Sequence, residues 1–255
     1  MRVDSPFSRS EALLGAAAMN RLADARVLVV GVGGVGSWCA EALVRTGLRH
    51  VTIMDDDVVA ASNVNRQCPA TAKTVGRAKV EAMAERLREI NPAAEIVAVN
   101  ARYDGEADSC PLLKKLPFHL VVDAIDSVDC KAELILAATE AGVPLVSSMG
   151  AALRLDPTKV KVTRFEKVEG DGLARALRQR FKKLRRFPKG KFCCVWSSEP
   201  PVLNTETQRH GEDDLNSVSS RLCVKTKGSL MPVTATFGMC LASEAIRILT
   251  KGESE

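Results

Sequence analysis

Seven Phe, two Trp and one Tyr in 255 residues are too few aromatic rings for a surface on which bases stack. Histidine is scarcer still. His50, His119 and His210 are the only three, and neither G-x-S-x-G nor H-E-x-x-H occurs, so serine-hydrolase and zinc-protease arrangements are missing. The eight cysteines are scattered and no two have CxxC spacing. A closed four-cysteine zinc site draws its ligands from two such clusters, so the expectation is reduced thiols and no zinc. No apolar run approaches the ~20 residues that a membrane span needs. The short stretch Leu13–Met19 follows Glu11, with Asp4 beside Arg2 and Arg9, and reads as a helix rather than a signal peptide. The expected setting is soluble and cytoplasmic, with no membrane partner.

What is present is an ordinary globular composition, with 46% apolar and 26% charged residues. The length suits one large domain or one domain with an appendage. The net charge of +5 is unevenly placed. Nine basic residues and no acidic one lie between Arg175 and Lys191, and the rest of the chain is net acidic. Within that segment Leu173, Leu177, Phe181 and Leu184 recur at helical spacing, which predicts an amphipathic helix with a cationic outer face. Charge runs are ordinarily solvated, but adjacent cations repel and a polyanion relieves that repulsion. Arg178, Lys182, Arg185 and Arg186 are the expected contacts to nucleic-acid phosphates.

Along the chain, strands and helices alternate. Helices are predicted over Glu11–Leu22, Ser37–Thr46, Gly76–Ile90, Asp129–Ala141 and Val233–Leu249. Strands are predicted over Arg26–Val32, His50–Met54, Glu95–Val99, Leu120–Ala124 and Pro144–Ser148. This order implies an α/β, Rossmann-like, mostly parallel sheet with helices on both faces. After Gly150 the pattern changes. Ala151–Leu155 and Val160–Phe165 read as a hairpin around Asp156-Pro157-Thr158-Lys159. The basic helix follows, then a polar stretch from Pro200 to Ser220 expected to be a loop or lid. The predicted layout is a nucleotide-binding half, residues 1–150, and a substrate-shaping half, residues 151–255, sharing one core.

Gly31-Val32-Gly33-Gly34-Val35-Gly36 is G-x-G-x-x-G between a strand and a helix, where backbone amides and the helix dipole meet a phosphate. Asp55 ends the next strand, where a carboxylate accepts hydrogen bonds from ribose hydroxyls. A Walker loop is excluded, because Ser37-Trp38 stands where Lys-Ser/Thr is required. The glycines alone do not choose between a dinucleotide and ATP. Asn63, Arg66, Lys79 and Asp126 favour ATP, since two cations and a carboxylate around a glycine turn suit a triphosphate with Mg²⁺. A nicotinamide-dependent oxidoreductase leaves Arg66, Lys79 and Asp126 unexplained.

The combination of the Gly31–Gly36 turn, Asp55, Asn63-Val64-Asn65-Arg66-Gln67, Lys79 and Asp123-Ala124-Ile125-Asp126 resembles the ATP-binding pattern of the ubiquitin-activating-enzyme-like superfamily. That superfamily includes the sulfur-carrier adenylyltransferases. One branch, the tRNA threonylcarbamoyladenosine dehydratases, is similar over further segments: Gly36-Ser37-Trp38, Arg45-Thr46-Gly47, Asp123 to Ser127, Ser197-Ser198-Glu199 and Val233 to Gly238. The resemblance runs from about Phe7 to the end and implies ATP-dependent dehydration of a tRNA nucleoside through carboxylate adenylation. It implies that the turn (Gly31, Gly33, Gly34, Gly36) holds the α-phosphate region and Asp55 the ribose. Asn63, Arg66 and Lys79 meet phosphates, Asp126 binds Mg²⁺, and Arg9 reaches the partner's ATP across a homodimer interface. It also implies tRNA as substrate and sulfur-transfer or tRNA-modification proteins as candidate partners. Cys223 matches a branch cysteine and reads as a structural thiol. The alternative is an adenylyltransferase acting on the C-terminus of a sulfur-carrier or ubiquitin-like protein; it predicts an uncharged docking groove and usually zinc.

Overall fold

The computed structural model describes residues 5–104, 117–202 and 228–251. Its helices are α1 (Ser8–Leu14), α2 (Ala16–Asp24), α3 (Gly36–Thr46), α4 (Lys79–Ile90), α5 (Val128–Glu140), α6 (Gly172–Leu184) and α7 (Met231–Thr250). Its strands are β1 (Arg26–Val30), β2 (His50–Met54), β3 (Glu95–Val99), β4 (Leu120–Asp123), β5 (Leu145–Ser148), β6 (Val160–Arg164) and β7 (Cys193–Ser197). The strands form one sheet of seven in the order β3-β2-β1-β4-β5-β7-β6. All neighbours are parallel except β6, which runs antiparallel to β7 at the edge.

Burial on both faces explains the unbroken apolar composition of β1. Val27 and Val29 contribute to the core under α3, α4 and α7, while Leu28 and Val30 join the core under α5 and α6. The first core also holds Leu43 and Val44 of α3, Val80 and Met83 of α4, and Val233, Phe237 and Leu241 of α7. The second holds Leu134 and Ile135 of α5 with Leu177 and Phe181 of α6. Both cores therefore combine residues from before and after position 150. α7 crosses α3 closely at Gly238, where a Cβ would stand 2.6 Å from the Val35 carbonyl oxygen.

β2 and β3 follow their predicted boundaries, and the other predicted strands of the parallel set end within two residues of theirs. Four differences have physical causes. The first predicted helix is divided at Gly15 into α1 and α2. The helix expected from Gly76 starts at Lys79, because the Arg77 carbonyl accepts from Val59 N–H and Ala78 forms a bridge to Val58. The hairpin is absent, for β6 pairs with β7 rather than with residues 151–155. β7 itself lies in a stretch for which no strand was predicted. The helix α7 is long and apolar enough to cross a membrane by length and composition, although its apolar side is buried against α3 and the sheet. The expected loop from Pro200 to Ser220 and Cys223 fall largely outside the described residues.

Candidate active site

From β1 the chain winds outward through β2 and β3, then returns to β4 on the other side and winds through β5. The switch point between β1 and β4 is where open α/β sheets bind ligands, at the carboxyl ends of the strands. A cleft of about 940 Å³ opens there. It is lined by Gly31, Gly33 and Gly34 after β1, Asp55 to Asp57 after β2, Asp126 and Ser127 after β4, and Gly150 to Arg154 after β5. Asn63, Arg66 and Lys79 line it as well.

The turn after β1 is folded tightly. Gly31 has φ +88°, and a Cβ there would sit 2.7 Å from the Ala124 carbonyl oxygen. At Gly36 a Cβ would collide with the Gly31 carbonyl oxygen at 1.8 Å, so Gly36 permits the fold-back and does not itself line the cleft. Gly33 and Gly34 are different: their virtual Cβ atoms meet nothing closer than 3.5 Å, and both face the cleft. Among the described residues no acceptor takes the amide N–H of Gly33, Gly34 or Val35. Unpaired amides beside the N-terminus of α3 form an anion-binding surface.

Asp55 clamps this turn. Its Oδ2 accepts from Val32 N–H at 2.8 Å and its Oδ1 from Asp57 N–H at 3.0 Å. Burial raises its pKa, with Lys79 and the two amides pulling the other way. Lys79 is buried on the first turn of α4, and its Nζ lies 2.6 Å from Asp57 and 3.8 Å from Asp55. The ammonium thus reaches the cleft through a buried stem and a rigid helix, which fixes its position. Arg66 lies over Gly34 and donates to the Ser62 carbonyl and to Asn65 Oδ1, each at 2.8 Å. Trp38 Nε1–H donates to the Arg66 carbonyl at 2.9 Å and ties this loop to α3. Asn63 is buried and its Oδ1 accepts from Ala60 N–H, which shapes the short turn that carries Arg66.

On the other side of the switch point, Asp126 is exposed on the cleft with no hydrogen bond or ion pair among the described residues. Its loop is held by Asp123. That carboxylate is fully buried, pairs with Lys131 Nζ at 2.9 Å and accepts from Ser147 Oγ and from Ile125 N–H. Lys131 also donates to the Ile125 carbonyl. Lys131 was not anticipated; the signal was a lone lysine inside the apolar run of α5, whose buried position demands an anion. Gln67, Arg154 and Asp171 also line the cleft and were not anticipated as site residues.

Three expected residues lie elsewhere or have other work. Arg9 is exposed on α1 and is not among the residues lining the cleft of its own chain. Arg178 does not point its charge outward: its Nη2 donates to the carbonyls of Phe165 and Val168, and the guanidinium stacks on the Phe165 ring. Arg186 pairs with Glu133 at 2.9 Å. Lys182 and Arg185 are exposed. A polar side chain on a mostly buried flank finds carbonyls that must be satisfied, and that demand claimed Arg178.

The model described as ThiF family matches residues 7–255. A tRNA threonylcarbamoyladenosine dehydratase of Escherichia coli (strain K12) is 38% identical over 248 residues, covering 94% of this chain and 92% of the relative. One of Haemophilus influenzae is 33% identical over 239 residues, covering 92% and 89%. The crystal structure of the E. coli tRNA N6-threonylcarbamoyladenosine dehydratase in complex with ATP superposes with a TM-score of 0.82 at 37% identity, covering 96% of this chain and 93% of that one.

Proposed function

The chain belongs to the ThiF family, and on that premise we propose that it is an ATP-dependent enzyme that dehydrates threonylcarbamoyladenosine in tRNA to its cyclic form. The observation that carries the proposal is the convergence of unpaired turn amides, Asp55, Arg66, Lys79 and Asp126 on one cleft at the switch point, in a fold that a relative uses to bind ATP. A carboxylate oxygen of the threonylcarbamoyl group attacks the α-phosphorus, the bond to pyrophosphate breaks, and an acyl-adenylate forms. The ureido group of the same nucleoside then attacks the activated carbonyl, loses a proton and displaces AMP. The balance is one water removed from the nucleoside and one ATP converted to AMP and pyrophosphate.

The protein's task in both steps is to stabilise charge on phosphates. The amides of Gly33 and Gly34 receive the α-phosphate region, and Asp55 retains lone pairs for the ribose hydroxyls. Lys79 exchanges Asp57 for phosphate oxygens, and Arg66 swings from Ser62 and Asn65 to do the same. Asn63 holds the loop that carries Arg66. Asp126 offers an exposed oxygen donor of the kind Mg²⁺ takes. A magnesium ion held by Asp126 would supply charge neutralisation for the pyrophosphate leaving group.

Arg9 acts in trans, in a homodimer in which α1 reaches the partner's cleft; its exposure and its absence from the lining of its own cleft support this. Lys182 and Arg185 meet tRNA phosphates, with Arg186 joining after it leaves Glu133. Residues 1–150 serve the nucleotide and residues 151–255 the tRNA, in the cytoplasm. ATP–pyrophosphate exchange with threonylcarbamoyl-modified tRNA, set against exchange with a sulfur-carrier protein, tests the substrate class. Exchange stimulated by the carrier protein alone contradicts the proposal.

A further inference from the structure

Arg154 lies in the cleft, yet nothing in the nucleotide-binding set uses it. It is 4% exposed, and its Nε and Nη1 are buried with no hydrogen-bond partner among the described residues. A guanidinium held out of water without an anion is costly, and buried charges are paired in nearly all folded proteins. The nearby carboxylates are committed elsewhere: Asp156, two residues on, accepts from Thr158 N–H and Thr158 Oγ1. Glu199, of the Ser197-Ser198-Glu199 segment, accepts from the N–H groups of Leu155 and Asp156 at 3.0–3.1 Å. Asp171 accepts from Gly150 and Ala174 N–H.

The backbone around Arg154 is fixed. Leu153 has φ +61°, a left-handed conformation that a branched L-residue seldom adopts. It is held there by a bond from its N–H to the Gly228 carbonyl and one from Val202 N–H to its own carbonyl. Strain of this kind persists where the surroundings impose it, and it clusters at ligand sites. The backbone that carries Arg154 is thereby held in the cleft wall with Gly150, Ala151 and Ala152, small residues that leave space beside it.

Position in the sheet says which part of the substrate it faces. Asp55 follows β2, the glycine turn follows β1, Asp126 follows β4 and Arg154 follows β5, in that spatial order. Ribose therefore lies on the β2 side and phosphates at the switch point. β5 lies two strands beyond β1, about 10 Å away at ordinary strand spacing, and Arg154 lies on the segment that follows it. The residues after β5 thus line the cleft on the side away from Asp55, where it has room for a second substrate beside the nucleotide.

We propose that Arg154 binds the substrate carboxylate that is to be adenylated and presents it to the α-phosphate. The planar fork of a guanidinium matches a carboxylate with two parallel hydrogen bonds, which fixes the attacking oxygen. The proposal rests on the functional reading above and deepens it.

The test compares two anticodon stem-loop RNAs, one carrying threonylcarbamoyladenosine and one its carboxamide, bound in the presence of a non-hydrolysable ATP analogue. The intact protein should prefer the carboxylate by about tenfold or more, as expected for a charge-assisted pair. Arg154→Gln should bind the two RNAs alike while keeping its affinity for the ATP analogue. If Arg154→Gln does not fold, Arg154→Lys keeps the charge without the fork and should reduce the preference. An Arg154→Gln protein that retains the preference overturns the assignment, as does an unchanged preference in Arg154→Lys. Equal weakening toward both RNAs also overturns it and points to a phosphate contact. An intact protein that forms no AMP from ATP and the carboxylate RNA defeats the functional reading instead.

Discussion

The four glycines of the turn have separate duties, and substitutions distinguish them. Alanine at Gly31 places a methyl 2.7 Å from the Ala124 carbonyl and forces a left-handed L-residue. It should destabilise the fold by about 2 kcal/mol or more, read from the denaturant midpoint. Alanine at Gly34 meets no atom closer than 3.5 Å. Gly34→Ala should leave stability within about 0.5 kcal/mol of the original while weakening ATP binding about tenfold, since the methyl occupies phosphate space. Equal stability losses in the two variants would mean that Gly34, like Gly31, serves the fold alone. Glu41 gives a second residue-scale expectation. Burial pushes its pKa up, but hydrogen bonds from Arg86, Cys68 and Arg45 bring it from 4.5 down to about 2. A carboxyl depressed in the folded state stabilises above its unfolded pKa and loses that contribution as pH falls. The stability gap between the original protein and Glu41→Gln should therefore be full at neutral pH and shrink between pH 4.5 and about 2. A gap constant across that range would show that the buried cluster does not depend on the charge of Glu41.

At the scale of elements, the basic helix α6 separates into an inward and an outward set. Leu177 and Phe181 are buried, Arg178 serves the carbonyls before the helix, and Asp171 caps its N-terminus through Ala174 N–H. Arg178→Gln should therefore cost about 1–2 kcal/mol of stability by leaving two carbonyls short of a charged donor. Lys182→Gln with Arg185→Gln should leave stability unchanged and reduce the slope of log tRNA affinity against log salt by about 0.7–0.9 per contact. An unchanged slope in the double variant assigns that face to solvent. The helix period was legible because its stripe is made of large apolar residues. The engagement of Arg178 was not, because it depends on carbonyls 10 and 13 residues earlier that only the tertiary fold brings under the helix. The same limit applies to β6 and β7. β6 lies on the exposed edge, and its partner lies beyond α6, so local pattern pointed to a hairpin that does not form.

For the molecule as a whole, the parallel strands and the phosphate turn could be read from sequence because each is a local signal. β1 is a continuous apolar run after Arg26, buried on both faces, β2 is mostly apolar and buried, and glycines mark where backbone must come close. Arg154 and Lys131 could not be read as easily, because their meaning lies in what surrounds them: one buried cation has Asp123, the other has no protein anion among the described residues. The proposed completion of the site by Arg9 of a second copy belongs to the scale of an assembly. Mixing inactive Arg9→Ala protomers with inactive Lys79→Ala protomers should restore partial activity, since one site in each mixed dimer is intact. No recovery despite demonstrated subunit exchange would place Arg9 in its own chain's service.

In the proposed reaction this cleft uses ATP to remove water from a tRNA nucleoside. The most direct measurement is mass spectrometry of nucleosides from threonylcarbamoyl-modified tRNA incubated with the protein, ATP and Mg²⁺, with AMP counted in parallel. The modified nucleoside should lose the mass of one water, with one AMP formed for each nucleoside converted, and neither product should appear when Lys79 is replaced by Ala. Nucleoside of unchanged mass, with or without AMP, would mean that the cleft does not carry out this dehydration.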